Sequence, residues 1–124
     1  MKKIILFVLF AFSIVTLHAQ KAEWKEMQDF HGVMSASFHP SEENNLKPLR
    51  DSASVLLTKA KIWQKANVPQ GYNAHATKDV LKRLVSNCKS IKAAVNKNET
   101  DEKLKSMIAT AHDTFHEIME KCKE

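Results

Sequence analysis

Two histidines, His112 and His116, stand four residues apart in a stretch rich in helix-forming residues near the carboxyl end of the chain. On an α-helix, positions i and i+4 lie one above the other on the same face, about 6 Å apart along the axis. Imidazole nitrogens are common ligands of transition metals, and two on one helical face can reach the same ion. The spacing therefore makes both histidines candidate metal ligands.

A second group of possible ligands lies on the first helix that the sequence predicts. Trp24, Met27, His31, Met34 and Phe38 follow one another at alternating spacings of three and four residues. Such spacing is typical of a buried helical seam. A histidine and two methionines on that seam would face the interior of the protein together with the large apolar side chains.

The first and last helices of an antiparallel bundle are neighbours, which brings these two groups together. Counted from the predicted helix ends at about 1.5 Å per residue, Met27 lies within roughly 6 Å of the level of His116. His31 and His112 also lie at similar levels along the bundle, one helical turn further along. The sequence therefore predicts a square of ligands between helices one and four, formed by Met27, His31, His112 and His116.

Four amphipathic helices are predicted, with two short turns and a longer middle loop over residues 67–76 that contains a proline and a glycine. The first runs over about residues 22–38. The signals at helix ends are, in chain order, a stop at Pro40, a start at Pro48, an N-cap at Thr77 and an N-cap at Thr100 or Asp101. With only two glycines in the chain, a turn-rich β fold is disfavoured. We predict an all-α, antiparallel up-down-up-down four-helix bundle.

The first 19 residues have the pattern of a secretory signal peptide. Lys2 and Lys3 precede an apolar run over residues 4–15, and the small residue Ala19 marks the cleavage point. The run is too short for a permanent membrane span. We expect residues 20–124 to form one bundle domain, periplasmic or secreted, with no membrane attachment once the signal is removed.

The charge and residue pattern of this mature chain exclude several classes of function. Without Lys2 and Lys3, 17 lysines and arginines remain against 14 acidic residues, and the excess is spread along the sequence. No dense basic patch with interleaved aromatic residues is present, so nucleic acid is not an expected partner. The sequence also lacks a glycine-rich phosphate loop, a Ser/His/Asp set and paired inward carboxylates. We therefore expect a binding protein and not an enzyme.

The two cysteines of this exported chain raise the question of a disulfide. On the predicted helices Cys88 and Cys122 differ in level by roughly 20 Å, whereas a disulfide needs Cα atoms within about 7 Å. We therefore predict no bond between them. Cys88 should be buried and inert. Cys122 should be free and reactive toward thiol reagents, or else bonded to a second copy in a homodimer.

The helix order, the proline-containing middle loop, Met27 in a Trp-Lys-Glu-Met segment and His116 in a Thr-Phe-His segment resemble the soluble four-helix cytochromes. These are cytochrome c-prime and its b-type relative. The resemblance implies a haem between helices one and four, with His116 and Met27 as axial ligands. Because His112 and Phe115 stand where the Cys-x-x-Cys-His attachment motif has its cysteines, the resemblance implies a non-covalent, b-type haem.

Three functions are compatible with these residues. The first is an exported bundle that holds b-type haem or a transition-metal ion between helices one and four, for electron transfer or carriage of the centre. The second is a dedicated Zn, Cu or Ni binding or sensing protein that uses His31, His112 and His116. The third is a helical interaction protein whose histidines are structural. His39 with Glu43 forms a possible second, weaker metal site.

Overall fold

The computed structural model describes residues 24–124 and shows the predicted four helices. They are α1 (Lys25–Glu42), α2 (Lys47–Lys65), α3 (Ala74–Asn96) and α4 (Asp101–Lys121). Each helix packs on the next in sequence, and α4 returns to pack on α1. The predicted all-α four-helix bundle is therefore confirmed. The predicted signal peptide, residues 1–19, lies outside the described residues.

Contacts at the two ends of the bundle show the antiparallel order. At one end, Arg50 near the start of α2 donates a 2.7 Å hydrogen bond to Asp101 at the start of α4, and Lys105 reaches Asn44 in the α1–α2 turn. At the other end, the backbone N–H of Asn73 donates to the carbonyl of Cys122 at 2.8 Å. The two short turns therefore share one end, and the middle loop meets the carboxyl terminus at the other.

The helix starts follow the expected capping chemistry, with one shift of register. Thr100 caps α4 as predicted, because its hydroxyl accepts the backbone N–H of Lys103 at 3.2 Å. The predicted cap of α3 at Thr77 is wrong, since the Asn73 side chain accepts the N–H of Ala76 instead. Helix α3 therefore begins one turn earlier than predicted, and the Thr77 hydroxyl donates to the carbonyl of Asn73 within that first turn.

The prediction that Pro40 ends the first helix is also wrong, because α1 continues to Glu42. A proline removes one helical N–H, which is a smaller loss in the last turn than in the helix interior. The Pro40 carbonyl still accepts backbone N–H groups from Glu43 and Asn45. The chain turns away at Asn44, whose φ of 62° is left-handed, a conformation that asparagine tolerates well.

The buried face of α1 differs from the predicted seam. The buried side chains of this helix are Phe30, Met34, Ser37 and Ser41. Met27 and Phe38 are half-buried at the edge of the core, and His31 is exposed. The predicted burial of His31 is therefore wrong. The two serines can lie inside because each hydroxyl donates to a carbonyl of its own helix, Ser37 to Val33 and Ser41 to Phe38.

Both cysteines are free and buried in this fold. The absence of a bond between Cys88 and Cys122 agrees with the prediction. Burial raises the pKa of the Cys88 thiol to about 12, so this side chain is a small inert hydrophobe. The expected reactivity of Cys122 is wrong, because only 2% of this residue is exposed where the middle loop covers the end of α4.

Within residues 24–124, no helix combines the length and the apolar character that a membrane crossing requires.

Candidate metal site

The candidate site is on α4, whose sequence places two imidazoles at the edge of its buried face. The buried residues of α4 include Ala111 and Phe115, and His112 and His116 each follow one of them. One residue further along a helix turns the side chain by about 100°, which moves both rings from the core to its boundary. Both histidines are accordingly half-buried, so the site is supported by the protein and open to solvent.

The two rings approach each other through their Nε2 atoms. The two Nε2 atoms are hydrogen-bonded to each other at 3.1 Å, and the ring planes cross at 66° with centroids 4.4 Å apart. Zinc–imidazole bonds are about 2.0–2.1 Å long. For an ion bonded to both nitrogens at this separation, the N–metal–N angle would be roughly 95–102°. That angle lies between square-planar and tetrahedral geometry. The predicted pairing of His112 and His116 on one helical face is therefore present.

Aromatic and acidic neighbours hold the two imidazoles in place. The ring of His112 stacks on Phe38 of α1, with centroids 3.8 Å apart and planes 9° from parallel. The ring of His116 meets Phe115 edge to face at 5.6 Å. On its other side, His116 Nδ1 lies 3.8 Å from Glu120 Oε1.

The local electrostatics favour the neutral form of His112. Burial lowers its pKa below the usual value, the neighbouring His116 and His39 lower it further, and the acidic groups of Asp113 and Glu42 oppose them. A metal binds only the neutral imidazole, because a protonated ring has no lone pair to donate. The lowered pKa therefore keeps this nitrogen available for a metal at neutral pH.

The same shift makes the stability of the fold depend on pH. Since the pKa of His112 is lower in the folded state, the unfolded chain binds the proton more readily, and acid favours unfolding. The contribution of His112 is complete above its unfolded pKa and decreases as the pH falls toward its folded pKa. We expect His112→Gln to reduce the loss of unfolding free energy between about pH 7.5 and about pH 5.5 in urea titrations.

The control is His75→Gln, the same change at a side chain that is 92% exposed and lies on α3, away from the pair. Equal pH dependence in wild type and His112→Gln would contradict the assignment.

The acidic side chains near the pair do not complete a metal site by themselves. Glu117 is held by Arg83 of α3, and this hydrogen bond lowers the pKa of the carboxyl group. Asp113 and Glu120 line an open groove of about 480 Å³ beside His116. Among the residues that the structure describes, no group of three or more His, Cys, Asp or Glu side chains is placed to hold a metal ion. The pair therefore offers two ligands and leaves the other coordination positions open.

The other predicted ligands lie in a separate groove. Met27 and His31 of α1 line a groove of about 360 Å³ together with Met119 and Phe115 of α4. The ring of His31 lies flat against Phe115, with centroids 5.1 Å apart and planes 11° from parallel. Phe115 also meets the ring of His116 edge to face, so this one phenylalanine contacts a histidine of each group. Met27 thus lies with His31, and His116 lies with His112.

Haem does not fit the interface of α1 and α4. The ring of Phe30 on α1 lies 5.7 Å from that of Phe115 on α4, and Trp63 packs against both, at 5.5 and 5.8 Å. All three side chains are almost completely buried. These rings fill the space that a macrocycle between the two helices would need.

His39 makes its acidic contact one residue earlier than predicted. Its Nδ1 lies 3.3 Å from Glu42 Oε2, and both side chains are exposed. Glu43, the predicted partner, is the first residue beyond the end of α1. The acidic side chain that contacts His39 in the structure is Glu42.

Comparisons of this chain with protein-family models, with curated proteins and with solved structures found no match. The site geometry is therefore the basis of the functional proposal.

The sequence analysis did not identify two residues that contact the candidate ligands. Phe38 stacks on His112, and Met119 lines the groove of Met27 and His31. The signal for Met119 was its spacing of four residues from Phe115, which places both on one face of α4.

Proposed function

We propose that this protein reversibly binds a divalent transition-metal ion, Zn, Cu(II) or Ni, through the Nε2 atoms of His112 and His116. The observation that supports it best is the 3.1 Å separation of these atoms, which suits two bonds to one ion. Imidazole is a preferred ligand of all three metals. The stacking of His112 on Phe38 reduces the cost of ordering the ligand before the ion arrives.

The open coordination favours carriage of the ion over a structural role. A structural zinc site has four protein ligands and contributes directly to folding, whereas this pair supplies two. The fold is supported by its own apolar core of four helices. Water or a ligand from a partner can take the remaining positions, so the ion can be exchanged. A signal peptide, which residues 1–19 predict, would place this exchange outside the cytoplasm.

The test is a titration of the protein with Zn, Cu(II) and Ni salts by isothermal calorimetry. Loss of a supporting residue alone weakens metal sites 10–100-fold, so His112→Ala and His116→Ala should each weaken binding by roughly 100-fold. His75→Ala is the matched control, because His75 is an exposed histidine at the start of α3. It should bind like wild type.

Other outcomes would contradict the proposal. Equal binding of all three ions by wild type and both variants would leave the histidines as structural residues of a helical interaction protein. Stoichiometric haemin binding with a sharp Soret band that is lost in Met27→Ala and His116→Ala would favour the cytochrome interpretation instead.

A further inference from the structure

Three potential metal ligands meet in the second groove between α1 and α4. Met27 and His31 are four residues apart on α1, and Met119 is on α4. All three line the same groove of about 360 Å³, whose other walls are Gln28, Gly32 and Phe115. Two thioether sulfurs and one imidazole are thus presented to one space by two different helices.

This combination of donors selects a soft ion. Thioether and imidazole groups suit Cu(I), whereas carboxylate and water suit hard cations such as Mg²⁺ and Ca²⁺. The described residues that line the groove include no carboxylate. Its chemistry therefore differs from that of the groove beside His116, which is lined by three acidic side chains.

The access and the packing of these side chains also fit a ligand role. Met27 and Met119 are only partly buried and pack against the core, and His31 is exposed. The stacking of His31 on Phe115 restrains the imidazole. An ion can therefore enter from solvent without opening the bundle.

We propose that Met27, His31 and Met119 form a binding site for Cu(I). This site differs from the His112–His116 pair in position and in donor type. The proposal for this site does not depend on the proposal for that pair. Three ligands complete a coordination shell that is common for a monovalent d¹⁰ ion, and the open side of the groove permits transfer to another protein.

The test is an anaerobic titration with Cu(I) in competition with a chromogenic Cu(I) chelator. Met27→Leu and Met119→Leu preserve side-chain volume and should leave the fold intact, while each removes a sulfur and should weaken Cu(I) binding at least about 10-fold. His31→Phe should have a similar effect and can still stack on Phe115. Met107→Leu is the matched control, because Met107 on α4 is half-buried and lines a different groove with Asn87. It should bind Cu(I) like wild type.

A second measurement locates the ion directly. In protein labelled with ¹³C at the methionine methyl groups, Ag(I), a diamagnetic substitute for Cu(I), should shift the signals of Met27 and Met119 and leave those of Met34 and Met107 unchanged. Equal Cu(I) affinity in all variants, or Cu(I) binding lost only in His112→Ala and His116→Ala, would overturn the proposal. Zinc affinity should not change in the two leucine variants, which separates failure of this site from failure of the histidine pair.

Discussion

Zinc at about 100 times its dissociation constant should raise the melting temperature of the wild-type protein by roughly 10–20 °C. An ion that binds only the folded state at this excess adds about 2.7 kcal/mol to the free energy of unfolding. For a domain of this size, each kcal/mol shifts the melting temperature by about 4–8 °C. The two imidazoles meet only when α4 is helical and packed on Phe38, so the unfolded chain lacks the paired site.

The decisive comparison is the double variant His112→Ala/His116→Ala, measured by differential scanning calorimetry. Its melting temperature should not respond to zinc, and EDTA should reverse the shift in wild type. A shift of the same size in the double variant would mean that zinc binds elsewhere, and the proposed site would be wrong.

Helix α4 shows how much of the site the sequence contains. The cap at Thr100 and the apolar spacing through Ala111 and Phe115 are local signals, and both are confirmed in the structure. Once the helix is given, the fixed period of 3.6 residues places His112 and His116 on one face. Their proximity depends on the backbone of a single helix, and for this reason the sequence was sufficient to predict it.

Helix α1 shows where sequence reasoning reaches its limit. Its sequence is compatible with two buried faces, one that contains His31 and one that contains Phe30. Which of the two is buried depends on the side chains that the other helices present to α1. Ser37 and Ser41 are buried because their hydroxyls bond to carbonyls of α1, a detail that a hydrophobic pattern does not contain. Compared with the predicted seam, α1 is rotated so that His31 is exposed and lines the same groove as Met119. The predicted square of four ligands depended on this rotation.

The resemblance to four-helix cytochromes depended on helix order and a few positions, and it leads to the correct architecture. The use of the space between α1 and α4 depends on side-chain volume. Phe30, Trp63 and Phe115 fill that space with aromatic rings, and none of these three residues stood out as an obstacle to haem in the sequence. A similarity in helix order therefore predicts the arrangement of the helices, whereas the space for a cofactor depends on the side chains between them.

Phe115→Ala should lower the free energy of unfolding by about 3–5 kcal/mol, the usual cost of removing a buried phenylalanine. The ring is 1% exposed, and it packs against Phe30 and Trp63 in the core while His31 and His116 lie against it. Its removal leaves a cavity where α1 and α4 meet.

Urea unfolding of Phe115→Ala, Phe115→Leu and Val55→Ala tests this expectation. Phe115→Leu retains most of the apolar volume and should lose less stability than the alanine variant. Val55 is 47% exposed on α2, so its replacement should change the free energy of unfolding by no more than about 0.5 kcal/mol. A loss below about 1 kcal/mol in Phe115→Ala would contradict the packing described for α1 and α4. Because Phe115 supports His31 in one groove and His116 in the other, the folded leucine variant should also weaken Cu(I) and zinc binding together, whereas each ligand variant weakens only one.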